Sequence, residues 1–183
     1  MKIKIEIKHY LSGAVLFEFE KENNTLKDTL VEGVKHDANL CGANLFGAHL
    51  FDANLFGAHL RGAKNIPFIP YSCPSDGPFI GWKKITSYKE AYKGHYLVKL
   101  EIPEDARRCS ATSFKCRCDR ANVLEITRIE DGESVDIITN TNYGECVYKV
   151  GEMVIPDGFN EDRWQECSNG IHFFINKQQA IDY

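Results

Sequence analysis

From residue 38 the chain reads ANLCG ANLFG AHLFD ANLFG AHLRG AKNIP, which sets Ala38, Ala43, Ala48, Ala53, Ala58 and Ala63 at a strict spacing of five. Leu40, Leu45, Leu50, Leu55 and Leu60 keep the same beat. A helix repeats its apolar face about every 3.6 residues and a strand roughly every two, so neither element accounts for a period of five. A strict repeat of this kind marks one small structural unit used again and again along the chain.

The pattern of a small residue, Asn or Asp, Leu or Phe and two variable positions resembles the pentapeptide-repeat family. The resemblance implies a short right-handed quadrilateral β-helix over residues 38–64, in which the small residue and the Leu of each repeat point into a narrow interior that a residue larger than Ala would overpack, with the five leucines as its structural core and the other three positions pointing outward. Long members of that family imitate the DNA duplex. Six repeats at four per coil make about one and a half coils, too few for that, so DNA mimicry is set aside and the segment reads as a scaffold. Phe46, Phe51 and Phe56 fall on three adjacent outer sides of such a coil. Three naked phenyl rings are unfavourable, so the flanking elements and the C-terminal domain are expected to pack around them. His49 and His59, two repeats apart, fall on opposite sides, which does not suit a shared metal.

Before the repeats, Ile3, Ile5 and Ile7 alternate with charged residues, and Val15, Phe17 and Phe19 share a face after the Ser12-Gly13 turn. Residues 2–20 therefore read as a β-hairpin. Thr25 is an N-cap with Asp28 in the first turn, and Leu26, Leu30 and Val34 define an amphipathic helix over 26–36. After the repeats, Pro67, Pro70, Pro74 and Pro78 mark a linker over 67–78. The strand candidates beyond it are 79–85, 96–102, 122–129, 135–140 and 170–175, followed by a short helix capped by Asn176. The predicted fold class is mainly β with some α: hairpin, helix and β-helix stub over 1–66, then an α+β recognition domain over 79–183.

The formal net charge of −4 provides no global basic field for nucleic acid, so any polyanion site must be local. The opening MKIKIEIKHY has no apolar run, which argues against a leader or membrane anchor and for a cytoplasmic protein. Seven scattered cysteines read as reduced thiols. Cys109, Cys116 and Cys118 with Cys167 or His172 lack the paired spacing of a zinc site, so packing is the preferred reading and no metal or other cofactor is expected.

Arg107, Arg108, Lys115, Arg117 and Arg120 form the densest positive stretch, suited to phosphate oxygens. The segment FNEDRWQECSNGIHFF gathers Arg163, Trp164, Glu166, Cys167 and His172 around a turn, a common setting for function. Its bland alternative is a packed Trp and Cys with a surface ion pair. The ligand-binding candidates are thus Trp82, Lys83, Arg108, Lys115, Arg117, Arg163, Trp164, Glu166 and His172.

Two further resemblances concern this half. SCPSDGPFIGWKK, LEIPEDARR, KCRCDRANVLEI and VGEMVIPDGFNEDRWQECSNGIHFF together look like an uncharacterised domain that follows pentapeptide repeats in phage and bacterial proteins, over residues 72–183. That resemblance implies phage origin and a role against host processes. Gly170-Ile171-His172-Phe173-Phe174 with Ala180 and Tyr183 is similar to a strand and helix of ADP-ribosyltransferases, but His172 stands where that motif has Tyr. The resemblance implies a site for a nucleotide of the NAD or ADP-ribose type. The leading expectation is a non-enzymatic binding protein of the anti-defence type, its partner a host protein or a nucleotide-type small molecule. An ADP-ribosyltransferase-like or NAD-cleaving enzyme using His172 and Glu166 is the rival, and a virion structural protein the third reading. A homodimer could complete the covering of the repeats.

Overall fold

A computed structural model describes residues 1–50, 53, 55–66, 71–88, 93–140 and 146–183. The chain forms two compact units. The first is Met1–Pro70 with Ala111–Ser113 and Asp162–Glu166, and the second is Tyr71–Ser110 with Phe114–Glu161 and Cys167–Tyr183.

In the first unit, β1 (Lys2–Lys8) and β2 (Val15–Glu22) pair antiparallel. The cross-strand pairs Ile5–Phe19 and Ile7–Phe17 follow the alternation of the sequence and lie toward one face. Helix α1 (Leu26–Lys35) starts at Thr25, whose hydroxyl accepts from the Asp28 amide while the Asp28 carboxylate accepts from Thr25 N–H. This reciprocal pairing satisfies two of the helix's orphan donors. Ile7 and Leu30 enter one core with the five repeat leucines, against which Trp164 also packs.

Each repeat closes on itself. The amides of Ala43, Ala48, Ala53, Ala58 and Ala63 donate to the carbonyls of Leu40, Leu45, Leu50, Leu55 and Leu60 at 3.0–3.1 Å. Among the described residues, the one before each repeat Ala adopts positive φ, as Gly42 (+70°) and Gly57 (+75°) do, which is why Gly recurs there. Asn39 and Asn44 accept from the amides two residues on, at 3.1 and 3.2 Å, and reinforce the turns.

The right-handed β-helix expected from the resemblance is not what the structure shows. Among the described residues no strand is assigned between Lys35 and Phe79. Lateral pairing among the described residues of the repeats consists of isolated bridges, Asn39–His59 and Asn44–Lys64 in parallel and His9–Ala43 antiparallel. The alanine amides close the turns, and the lateral bonds that do form between repeats come from the amides of Gly42, Leu45 and Lys64, too few and too scattered to make a strand. The covering of the phenylalanines also fails, since Phe46 is 79% and Phe56 52% exposed. Ile7, Leu30 and Trp164 pack against the Leu and Ala of the interior, while Phe46 and Phe56, each following a Leu, face out. Phe51 lies outside the described residues, as do 67–70 of the proposed linker.

The second unit is mainly β rather than α+β. In chain order its described residues contain β3 (Phe79–Ser87), β4 (Gly94–Ile102), β5 (Arg108–Ser110), β6 (Cys116–Cys118), β7 (Ala121–Arg128), β8 (Ile137–Asn140), β9 (Cys146–Lys149), β10 (Met153–Val154), β11 (Ile171–Phe173) and a short helix α2 (Lys177–Asp182). The sheet orders are β10-β7-β4-β3, β11-β6-β5 and β8-β9, all antiparallel. Trp82 and Phe174 exchange backbone hydrogen bonds of 2.7 and 2.8 Å, so the chain just after β11 continues the β3 edge and the antiparallel sheet curls. Gly81 permits that closure. A Cβ there would stand 2.6 Å from the Phe173 ring and 2.9 Å from Ile102. The core inside the curl holds Ile85, Tyr96, Val98, Leu100, Val123, Ile126, Tyr148 and Phe173.

Candidate basic site in the second unit

The alternation of β3 decides where the site begins. Gly81 and Ile85 are buried on the core face, opposite Leu100 and Tyr96, and Lys83 occupies the same phase opposite the fully buried Val98. Its neighbour Lys84 takes the other phase and donates to the Ile181 carbonyl at 2.8 Å. Lys83 Nζ instead donates to the backbone carbonyl of His172 at 3.3 Å.

His172 lies on β11 directly across from Arg117 of β6. Its Nε2 is 2.8 Å from the Ser168 carbonyl, which can only accept, so the ring proton sits on Nε2. Burial pushes the imidazole down to about 4. The Ser168 hydrogen bond opposes this, while the charges of Lys83, Lys115 and Arg117 add to it. Arg117, 2% exposed, donates to the Asn169 carbonyl at 3.1 Å and to Cys109 Sγ at 3.5 Å. Lys115, 6% exposed, is 3.2 Å from both Cys167 Sγ and the Tyr183 hydroxyl. Burial alone would lower the Lys115 ammonium, but those two hydrogen bonds outweigh it and hold its pKa above the ordinary lysine value.

Lys83 has no such compensation. Burial, aided by the charge of Lys115, holds it down to about 8, against a weaker opposing influence of Cys146 and Cys118. Burial also raises both of those thiols above their ordinary values, so at neutral pH they remain protonated and lend no counter-charge.

Four of the nine sequence candidates are therefore brought together: Lys83, Lys115, Arg117 and His172. The others lie elsewhere. All three guanidinium nitrogens of Arg108 donate to carbonyls, those of Ala106, Gly77, Pro103 and Glu104, at 2.6–3.0 Å, making it a clamp for its own loop. Trp82 packs with Leu97, Phe174 and Ala180, with Lys99 and Lys177 over its ring. Arg163, Trp164 and Glu166 belong to the first unit. There Arg163 lies over the Trp164 ring and donates to the Ala111 carbonyl, and Glu166 accepts from Ser113. Of the remaining basic stretch, Arg107 pairs with Asp119 and Glu161, and Arg120 with Asp105 and Asp119. Sequence reasoning missed Tyr183 and Cys146, which reach the cluster only through tertiary packing.

All seven cysteines are free thiols, and among the described residues no group of three or more His, Cys, Asp or Glu side chains is arranged to hold a metal ion. Among the described residues, too, no helix is long and apolar enough to cross a membrane.

Fold and site together define a mainly β unit that carries a partly buried basic cluster. The chain belongs to a family of unknown function (DUF5758), whose model matches residues 69–180 and so covers Lys83, Lys115, Arg117 and His172. No curated protein and no solved structure matches the chain. Neither the pentapeptide-repeat nor the ADP-ribosyltransferase likeness is shown by these comparisons.

Proposed function

We propose that the second unit is a non-enzymatic binding module for an anionic small molecule of the nucleotide type. The observation that carries this reading is the grouping of Lys83, Lys115 and Arg117 around His172 in a chain of net charge −4. Mutually repelling cations in a part-buried setting are relieved by a bound anion. Phosphate oxygens suit such donors. The exposed Tyr183 and Cys167 beside Lys115 mark the side from which a ligand would enter. In the phage setting that the resemblance implies, such binding would withdraw a nucleotide from a host process.

Thermal melts with ADP, ADP-ribose, NAD and inorganic phosphate test the reading. A true ligand at a hundredfold excess over its Kd should raise the melting temperature by several degrees, from about 2.7 kcal/mol of linkage. Lys115→Met and Arg117→Met should each abolish most of that rise. Affinity should also fall as pH climbs above about 8, because Lys83 then loses its proton. The proposal fails if none of these compounds shifts the melt, or if both variants bind as the wild type does.

A further inference from the structure

Ala111–Ser113 and Asp162–Glu166 belong to the first unit, although the chain on either side of each belongs to the second. Both loops lie inside the stretch that the family model matches, while residues 38–64 precede it. Their tips engage the repeats. Thr112 Oγ1 donates to the Ala58 carbonyl at 3.2 Å, and Trp164 packs against the core of repeat leucines and alanines. Ordering loops of three and five residues costs backbone entropy, so their position needs support beyond the tips.

The two loops support each other. Arg163 Nη2 donates to the Ala111 carbonyl at 3.1 Å, Ser113 donates to the Glu166 carboxylate, and directly past the loops Lys115 Nζ donates to Cys167 Sγ at 3.2 Å. These ties fall in the same order along both segments. Within the second loop the Asp162 carboxylate accepts from the Trp164 amide and the Gln165 side chain, each at 3.1 Å, which braces the tip. We propose that the two loops work as one strap on the repeats, and that the Lys115–Cys167 contact at its base is a latch that thiol exchange opens. Cys167 is exposed, whereas Cys73, Cys109, Cys116 and Cys118 are buried and Cys41 and Cys146 half-buried, so a small disulfide reaches Cys167 first. The Cys167 sulfur gives up its proton and bonds to one sulfur of that disulfide as the S–S bond breaks. The other half leaves as a thiolate and takes up a proton. The added group occupies the space through which Lys115 reaches the sulfur, and the tie at the base opens. Lys115 keeps the Tyr183 hydroxyl at 3.2 Å, so opening does not strand the buried ammonium. The device needs no bound anion and stands apart from the binding reading.

The test is hydrogen–deuterium exchange on the full chain before and after capping of Cys167 with methyl methanethiosulfonate, the modified position confirmed by peptide mass spectrometry. Capping should speed exchange in peptides covering residues 55–66 and 162–166 by about fivefold or more, as the loss of one ordinary hydrogen bond does, while peptides covering β3 and β4 stay unchanged. Cys167→Ser retains an acceptor for Lys115, so it should exchange as the wild type does and be indifferent to the reagent. Trp164→Ala should exchange fast in the repeats without any reagent. Slow repeats after capping overturn the latch, even where Trp164→Ala speeds them, and slow repeats in Trp164→Ala overturn the strap itself. Equal acceleration in β3 and β4 reports general loosening and overturns both.

Discussion

The repeat segment and the basic cluster obey opposite rules. In residues 38–64 every buried side chain on the five-residue beat is Leu or Ala, so periodicity and packing express the same fact. In the second unit the informative residue breaks its own pattern, since Lys83 takes a phase that β3 otherwise gives to Gly81 and Ile85. Regularity marks what the chain needs in order to fold. A charged residue in the apolar phase marks something kept despite folding.

That contrast can be broken most forcefully in the repeats. Leu45 is fully buried, and Leu45→Ala should cost about 2–5 kcal/mol in denaturant unfolding. A smaller loss would mean that the interior collapses around the cavity. Lys83→Met should act in the opposite direction and stabilise by about 1–3 kcal/mol at pH 7. The sign follows from linkage. The folded pKa lies below the unfolded one, so the penalty of burying the ammonium is complete below about pH 8 and disappears as pH rises toward 10.5. The advantage of the Met variant should shrink across that window, and a constant advantage would point to packing instead. The smallest effect belongs to the outward face of the repeats, where Phe46→Ser should change stability by no more than about 0.5 kcal/mol, because Phe46 is 79% exposed. A larger loss in the same unfolding experiment would show that the ring is covered in solution, as by a second copy.

Legibility followed the length over which a pattern could repeat. Alternation in residues 2–8 and 15–22 and the Thr25–Asp28 cap sufficed for the hairpin and α1. The five-residue beat identified Leu40, Leu45, Leu50, Leu55 and Leu60 as core, but not how little their turns would pair laterally. Strands β5, β6, β9 and β10 are two to four residues long and carry no readable period. They also supply or align much of the cluster, with Arg117 on β6 and Cys146 on β9. The basic stretch showed its charge in sequence but not its partners. Asp105, Asp119 and Glu161 neutralise Arg107 and Arg120, whereas Arg117 meets Asn169, a backbone partner far along the chain. The one local signal for Lys83 was the pair Lys83-Lys84 inside an alternating strand, where one of two adjacent lysines must face inward.

The reading of the second unit depends on the Lys83 amine, held against the His172 carbonyl with no carboxylate acting on it among the described residues. Side-chain NMR of Lys83, titrated from pH 6 to 12 and assigned by Lys83→Arg, measures that condition directly. An inflection near 8 is the result expected from its burial and from Lys115. An inflection near the ordinary 10.5 would place the amine in water or beside an acid and contradict the account.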